Sequence, residues 1–164
     1  QPDRQMLLDT LSSVLAHEQG IGKLYWDYTQ QTSNQQLKDQ WQKFGKETEV
    51  HRLVTERVIT ALGGDPSYRT PVARDHQKLQ DCFTSIESQG RAGDHMRLGN
   101  LVMAETISML LWRGMNKIAR SVEDSSTAKL FWDASRIVER DTEEHVRWNT
   151  AMYESYLASL SLGL

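Results

Sequence analysis

Apolar positions recur at steps of three and four along nearly the whole chain. Leu7, Leu11, Val14, Glu18, Gly22, Tyr25 and Thr29 fall on one face of a helix predicted over about residues 4–31. A second stripe runs through Leu37, Trp41, Phe44, Thr48, His51, Val58 and Leu62, opened by Ser33-Asn34 as a cap and stopped at Gly63-Gly64. From Asp65 to His76 the proline-containing steps read as a connection, because proline disfavours helix at the residue before it. A short helix is expected over about residues 77–88. Asp94 is the predicted cap of a third long helix, with Leu98, Leu101, Val102, Glu105, Ser108, Met109, Trp112 and Met115 inward and an end near Ala119. Ser125-Ser126 opens a fourth, facing inward with Leu130, Ala134, Val138, Asp141, Thr142, His145, Trp148, Met152 and Tyr156. No strand-forming alternation is long enough to compete, so the predicted class is all-α. The long connection between the second and third long helices makes room for a crossover within a four-helix bundle.

Polar residues interrupt these apolar stripes in a regular way. Two pentads share one pattern, Glu47-Thr48-Glu49-Val50-His51 and Asp141-Thr142-Glu143-Glu144-His145, each an acid, a threonine, two further residues and a histidine. Each of the other two long helices places one acid, Glu18 or Glu105, in mid-stripe. A carboxylate on a buried stripe is costly unless it is paired, protonated or bound to a cation. An aromatic follows each of those acids seven residues on, Tyr25 and Trp112. The chain therefore reads as a duplicated helical hairpin whose halves differ by a seven-residue loop, related by an approximate two-fold axis.

Composition narrows the picture. A chain of 164 residues is expected to fold as a single domain, spanning 1–164, with a substantial core. Its net charge of -3 and pI near 6.0 give no basic field for nucleic acid. The single cysteine, Cys82, forms no internal disulfide, which favours a reducing, cytoplasmic setting. No stretch approaches the roughly 20 apolar residues of a membrane span, and the sequence opens at Gln1 without a charged and apolar signal stretch, as a processed start would also do. Trp26, Trp41, Phe44, Trp112, Trp132 and Trp148 are expected in the core, with electron relay as their alternative use. His17, adjacent to Glu18, points about 100 degrees away from it, towards a neighbouring helix or solvent. Glu49, Glu143 and Glu144 read as solvated, and no phosphate loop or Cys-x-x-Cys is present.

Four helices carrying, in order, an acid, an acid with a His, an acid, and an acid with a His resemble the ferritin-like superfamily, with its rubrerythrins, bacterioferritins and other di-iron carboxylate proteins. The resemblance implies a ferritin-like bundle in which Glu18, His51, Glu105 and His145 are metal ligands, with Tyr25 nearby. One departure stands out. Three residues before each His, where the superfamily has a bridging Glu, this chain has Thr48 and Thr142. A hydroxyl replaces neither the charge nor the bite of a carboxylate, so two Glu and two neutral His suit one divalent cation better than two. Four residues before each His stand Glu47 and Asp141. Positions three and four before the His lie about 60 and 40 degrees to either side of it, so these acids can share its face. They are expected to replace the missing ligands, helped by a π-bulge that shifts their phase.

The expected function is a ferritin-like metal-binding protein holding Fe, or else Mn or Zn, as one or two ions per chain, for oxygen or peroxide redox chemistry. Thr48, Thr142 and Tyr25 would then act around the ligands. The competing expectation is a non-enzymatic ferritin-like scaffold with a degenerate site that acts by oligomerisation or partner binding. Amphipathic helices of this length suit a homo-oligomer, with a dimer as its smallest form. No redox partner can be read from the chain.

Overall fold

The computed structural model describes residues 3–122 and 124–163. Five helices follow one another: α1 (Arg4–Gln31), α2 (Gln35–Ala61), α3 (Pro71–Thr84), α4 (Gly90–Ala119) and α5 (Ser125–Leu162). α1 packs chiefly on α2 and α4 on α5, so two antiparallel hairpins face each other, with α3 lying against α1 in the crossover between them. No strand occurs among the described residues, and no helix is long and apolar enough to cross a membrane. The all-α bundle with a crossover and one extra helix is as the periodicity predicts.

Local chemistry fixes the ends. Asp3, Asn34, Thr70 and Asp124 each accept hydrogen bonds from backbone N–H groups in the first turn of α1, α2, α3 and α5. Gly63 stops α2 with a φ of 74, a left-handed conformation in which a side chain would be strained.

Two helices, α3 and α4, are bounded differently from the sequence reading, and α3 also ends earlier, at Thr84 and not near residue 88. α3 begins at Pro71 rather than near residue 77, because proline is well suited to the first turn, where its missing N–H has no helical partner, and Thr70 caps it. α4 begins at Gly90 rather than after Asp94, and its N-cap Gln89 makes no side-chain bond. Asp94 is instead buried inside the helix, paired with Arg97 at 3.0 Å and accepting from the Thr32 hydroxyl.

The core forms two apolar clusters. One gathers Leu7, Leu11, Leu15, Val58, Trp112, Phe131 and Val138; the other Ile21, Leu24, Tyr28, Leu37, Trp41, Phe44, Leu98 and Leu101. Between them each of the four long helices contributes buried polar residues: Glu18 from α1, Thr48, His51 and Thr55 from α2, Glu105 and Ser108 from α4, and Asp141, Thr142, His145 and Asn149 from α5. The apolar clusters brace the bundle on either side, and the polar layer is where function has room. Leu11, fully buried, anchors the first cluster. Leu11→Ala is expected to cost about 2–5 kcal/mol, seen as a lower urea midpoint at an unchanged slope.

Aromatics divide more sharply than expected. Trp41, Trp112 and Phe44 are fully buried, but Trp26 is 69% exposed and Trp132 is exposed as well. Trp26 directly follows the inward Tyr25, so it is turned about 100 degrees off the core face.

Candidate metal centre

The polar layer is organised as two crossing chains of acid, imidazole and acid. In the first, Glu18 Oε2 on α1 lies 3.4 Å from His51 Nδ1 on α2, whose Nε2 lies 2.9 Å from Asp141 Oδ2 on α5. In the second, Glu105 Oε2 on α4 lies 3.1 Å from His145 Nδ1 on α5, whose Nε2 faces Glu47 Oε2 on α2 at 3.6 Å. Exchanging α1 with α4 and α2 with α5 turns one chain into the other, which is the two-fold relation read from the pentads. The two imidazole rings lie 5.9 Å apart at 25° to each other.

Around them sits a ring of orienting groups. Glu18 Oε1 accepts from the Ser108 hydroxyl and, at 3.2 Å, from Trp112 Nε1. Asn149 donates to the Tyr25 hydroxyl at 3.2 Å and accepts from Trp41 Nε1 at 3.0 Å, which fixes Tyr25 beside Glu105. The Phe44 ring lies 4.1 Å from His145.

Charge follows from this geometry. Burial alone would push the His51 imidazole down, but the bonds to Asp141 and Glu18 and the charges of Glu18 and Glu105 lift it to about 10. His145 is likewise depressed by burial and raised further by the Glu105 carboxylate, ending above its ordinary value. Burial raises the Glu18 carboxyl, yet the His51 bond and charge and the Ser108 hydroxyl outweigh it and hold Glu18 below the usual range. Asp141 is lowered in the same way, its burial overcome by His51 and Arg140. Tyr25 is pushed well up, first by burial and then by the Glu105 charge, so it stays a neutral phenol. Even with both imidazoles protonated, the four carboxylates leave an excess of two negative charges in this layer.

All six predicted ligand residues, Glu18, His51, Glu105, His145, Glu47 and Asp141, meet in one layer. Glu47 and Asp141 reach it without the expected π-bulge, because both α2 and α5 are α-helical through these turns. Thr48 spends its hydroxyl on the Phe44 carbonyl at 2.8 Å and so turns back along its own helix. Thr142 is fully buried with its hydroxyl unpartnered. His17 is buried against α4, with Nε2 2.7 Å from the Ala104 carbonyl and Nδ1 3.1 Å from Gln80, outside the layer. Cys82 is exposed and takes no part in it. Sequence reasoning assigned nothing to Asn149 or Lys43. Asn149 sits one turn beyond His145 on the same face, and that spacing was the available signal.

Among the described residues, no three His, Cys, Asp or Glu side chains converge on a point as ligands of an ion would. Carboxylates and imidazoles are paired with one another instead. The donor set nonetheless suits a divalent cation in chemistry and charge. Glu47 Oε1, His145 Nε2 and Thr142 Oγ1 are buried without a hydrogen-bond partner, an arrangement that ordinarily costs free energy. Glu47, His145 and Thr142 would suit an ion if the carboxylates turned to it from the imidazoles.

No model of a known protein family and no curated protein matches the chain. A solved structure does resemble it: a dodecameric thioferritin, the bacterioferritin-related protein from Bacteroides fragilis, aligns with a TM-score of 0.71 over 99% of this chain and 92% of that chain, at 17% identity. Likeness at that identity speaks for the fold, and the chain folds as a ferritin-like helical bundle.

Proposed function

We propose that this chain is a metal-binding protein of ferritin-like fold that holds iron, or manganese or zinc in its place, among Glu18, His51, Glu105 and His145, with Glu47 and Asp141 as further ligands. One observation carries the reading: six acid and imidazole side chains from four helices share one buried layer with surplus negative charge and unpartnered donor and acceptor atoms. Four carboxylates and two neutral imidazoles balance two divalent ions, and loss of Glu47 or Asp141 shifts that balance towards one.

Iron bound there would supply one-electron chemistry towards oxygen or peroxide. The chain's own residues prepare the setting. Ser108 and Trp112 hold the Glu18 carboxylate in one orientation, and the apolar clusters on both sides exclude bulk water. Asn149 keeps the Tyr25 hydroxyl beside Glu105, where a neutral phenol can donate to an oxygen atom. Thr142, with its free buried hydroxyl, is better placed than Thr48 to hydrogen-bond a small ligand.

A second reading has an observation of its own. The His51 chain closes on itself with both nitrogens against carboxylates, as a structural network would. On that reading the fold is a non-enzymatic scaffold. Self-association is proposed on either reading, since the solved neighbour is described as dodecameric and large apolar side chains such as Met96, Met103 and Leu110 lie exposed along α4. A dimer is the smallest form of it.

Elemental analysis of protein purified without chelator decides between the two. One to two Fe or Mn per chain, falling in Glu47→Ala and Asp141→Ala, supports the metal centre, and oxygen uptake on adding Fe(II) supports redox use. No metal, with a melting temperature indifferent to Fe(II), Mn(II) and Zn(II), supports the scaffold.

A further inference from the structure

The two acid–imidazole–acid chains are not equally closed. Asp141 is locked to His51 at 2.9 Å, and the arginine beside it, Arg140, is its neighbour in sequence and joins no second helix. Glu47 is the loose member. Its side chain is 22% exposed, its Oε2 lies 3.6 Å from the inner His145 Nε2, and its Oε1 lies 3.6 Å from the outer Lys43 Nζ. Both separations exceed hydrogen-bonding range, so the carboxylate stands between an imidazole and an ammonium and is held firmly by neither.

Lys43 itself is 55% exposed and spans the seam between two helices. Its Nζ donates to Glu144 Oε1 on α5 at 3.0 Å while facing Glu47 on its own helix α2. Below it the Phe44 ring, 5.8 Å from Nζ, packs on His145 at 4.1 Å. The other acids of the layer offer no such path, since Glu18 and Glu105 are both buried at the centre of the bundle. A divalent cation approaching from solvent at this seam first meets Glu144 and Glu47, and both are already occupied by an ammonium of the same sign. Exposed ion pairs of this kind are weak and exchange readily, which suits a latch better than a staple.

We infer that Lys43 latches a cation route between α2 and α5, its ammonium bonded to Glu144 and facing Glu47 until an incoming divalent cation displaces it and Glu47 swings inward. This rests on the metal-binding reading above. Lys43 is a positioning residue here, since it touches the carboxylates and not the centre.

The test follows Co(II) uptake by stopped-flow quenching of tryptophan fluorescence, since Trp112 donates to a proposed ligand. Lys43→Gln is expected to take up Co(II) about fivefold faster than the wild type at low ionic strength, the factor set by one exposed ion pair. Its final stoichiometry should be unchanged. Uptake by Lys43→Gln should also slow more steeply with added NaCl, because the mouth, where Lys46 remains, has lost the ammonium that faces Glu47 and Glu144 and attracts Co(II) more strongly. Arg140→Gln, at the closed acid, should leave the rate alone. Equal rates in wild type and Lys43→Gln, a slower variant, or an altered stoichiometry would each overturn the latch while leaving the metal centre standing. A wild type that binds no Co(II) at all overturns both.

Discussion

Glu18→Ala is expected to lower the unfolding free energy of the metal-free chain by about 3–5 kcal/mol, among the largest effects of any single change in the polar layer. Glu18 is buried and serves three partners at once: the Ser108 hydroxyl, Trp112 Nε1 and His51 Nδ1. Truncation leaves two neutral donors without an acceptor and strips one of the two carboxylates from a buried imidazolium, and each unsatisfied group contributes its own desolvation cost. Glu18→Gln separates these parts. The amide oxygen still accepts from Ser108 and Trp112, but the amide nitrogen faces His51 with a donor where an acceptor is needed, so an intermediate loss is expected. Urea unfolding with chelator present, in the order wild type, Gln, Ala, tests the network directly. A loss under about 1 kcal/mol for Glu18→Ala would show that water, and not protein, satisfies this layer.

The periodic stripes made the four long helices legible because each buries one continuous face, and apolar spacing is the trace of that burial. α3 was misplaced for a local reason. Proline's effect on the preceding residue is real at Thr70, which is extended, yet the same proline is a good first residue of a helix, so the rule marks a boundary without saying on which side the helix lies. Asp94 misled as a cap because an Asp near a helix start has two uses, and here burial beside Arg97 and Thr32 took precedence over capping.

At the site, Glu18, His51, Glu105 and His145 were visible as polar residues on apolar stripes, a pattern that chance seldom repeats four times. The pairing was not visible. Which acid faces which imidazole depends on the crossing of α2 and α5, so that Glu47 serves His145 and Asp141 serves His51, each across the bundle and neither within its own pentad. Sequence spacing reports the face of one helix and says nothing of its opposite number. Lys43 was invisible for the same reason, since its partner Glu144 lies 101 residues away and the two meet only when the hairpins close.

Opposite pH trends are expected for stability and for metal affinity. His51 is raised from 6.5 to about 10, so its contribution is complete below about pH 6.5 and is lost as pH climbs through the folded value. Glu18 and Asp141 are lowered, so theirs is present above the unfolded carboxylate range and is lost only as pH falls through their folded values. The metal-free chain should therefore be most stable between about pH 4.5 and 6.5, and should lose about 3–5 kcal/mol towards pH 10, since each tenfold gain in proton affinity on folding is worth about 1.4 kcal/mol. His51→Gln, which cannot carry the charge, should flatten the alkaline limb, and an alkaline limb as steep in the variant as in the wild type would assign the loss to other groups. Metal binding runs the other way. A ligating imidazole must first release its proton, so affinity should rise by up to about tenfold for each step of one in pH and keep rising past about pH 8, above the range of an ordinary histidine. The two carboxylates that make His51 a strong base are the groups that would turn to a cation once the proton leaves. An affinity that levels off by about pH 7, measured by competition with a chelator of known proton uptake, would mean that binding displaces no proton from a strongly basic His51, and would overturn the pairing of a raised imidazole with a ligand role.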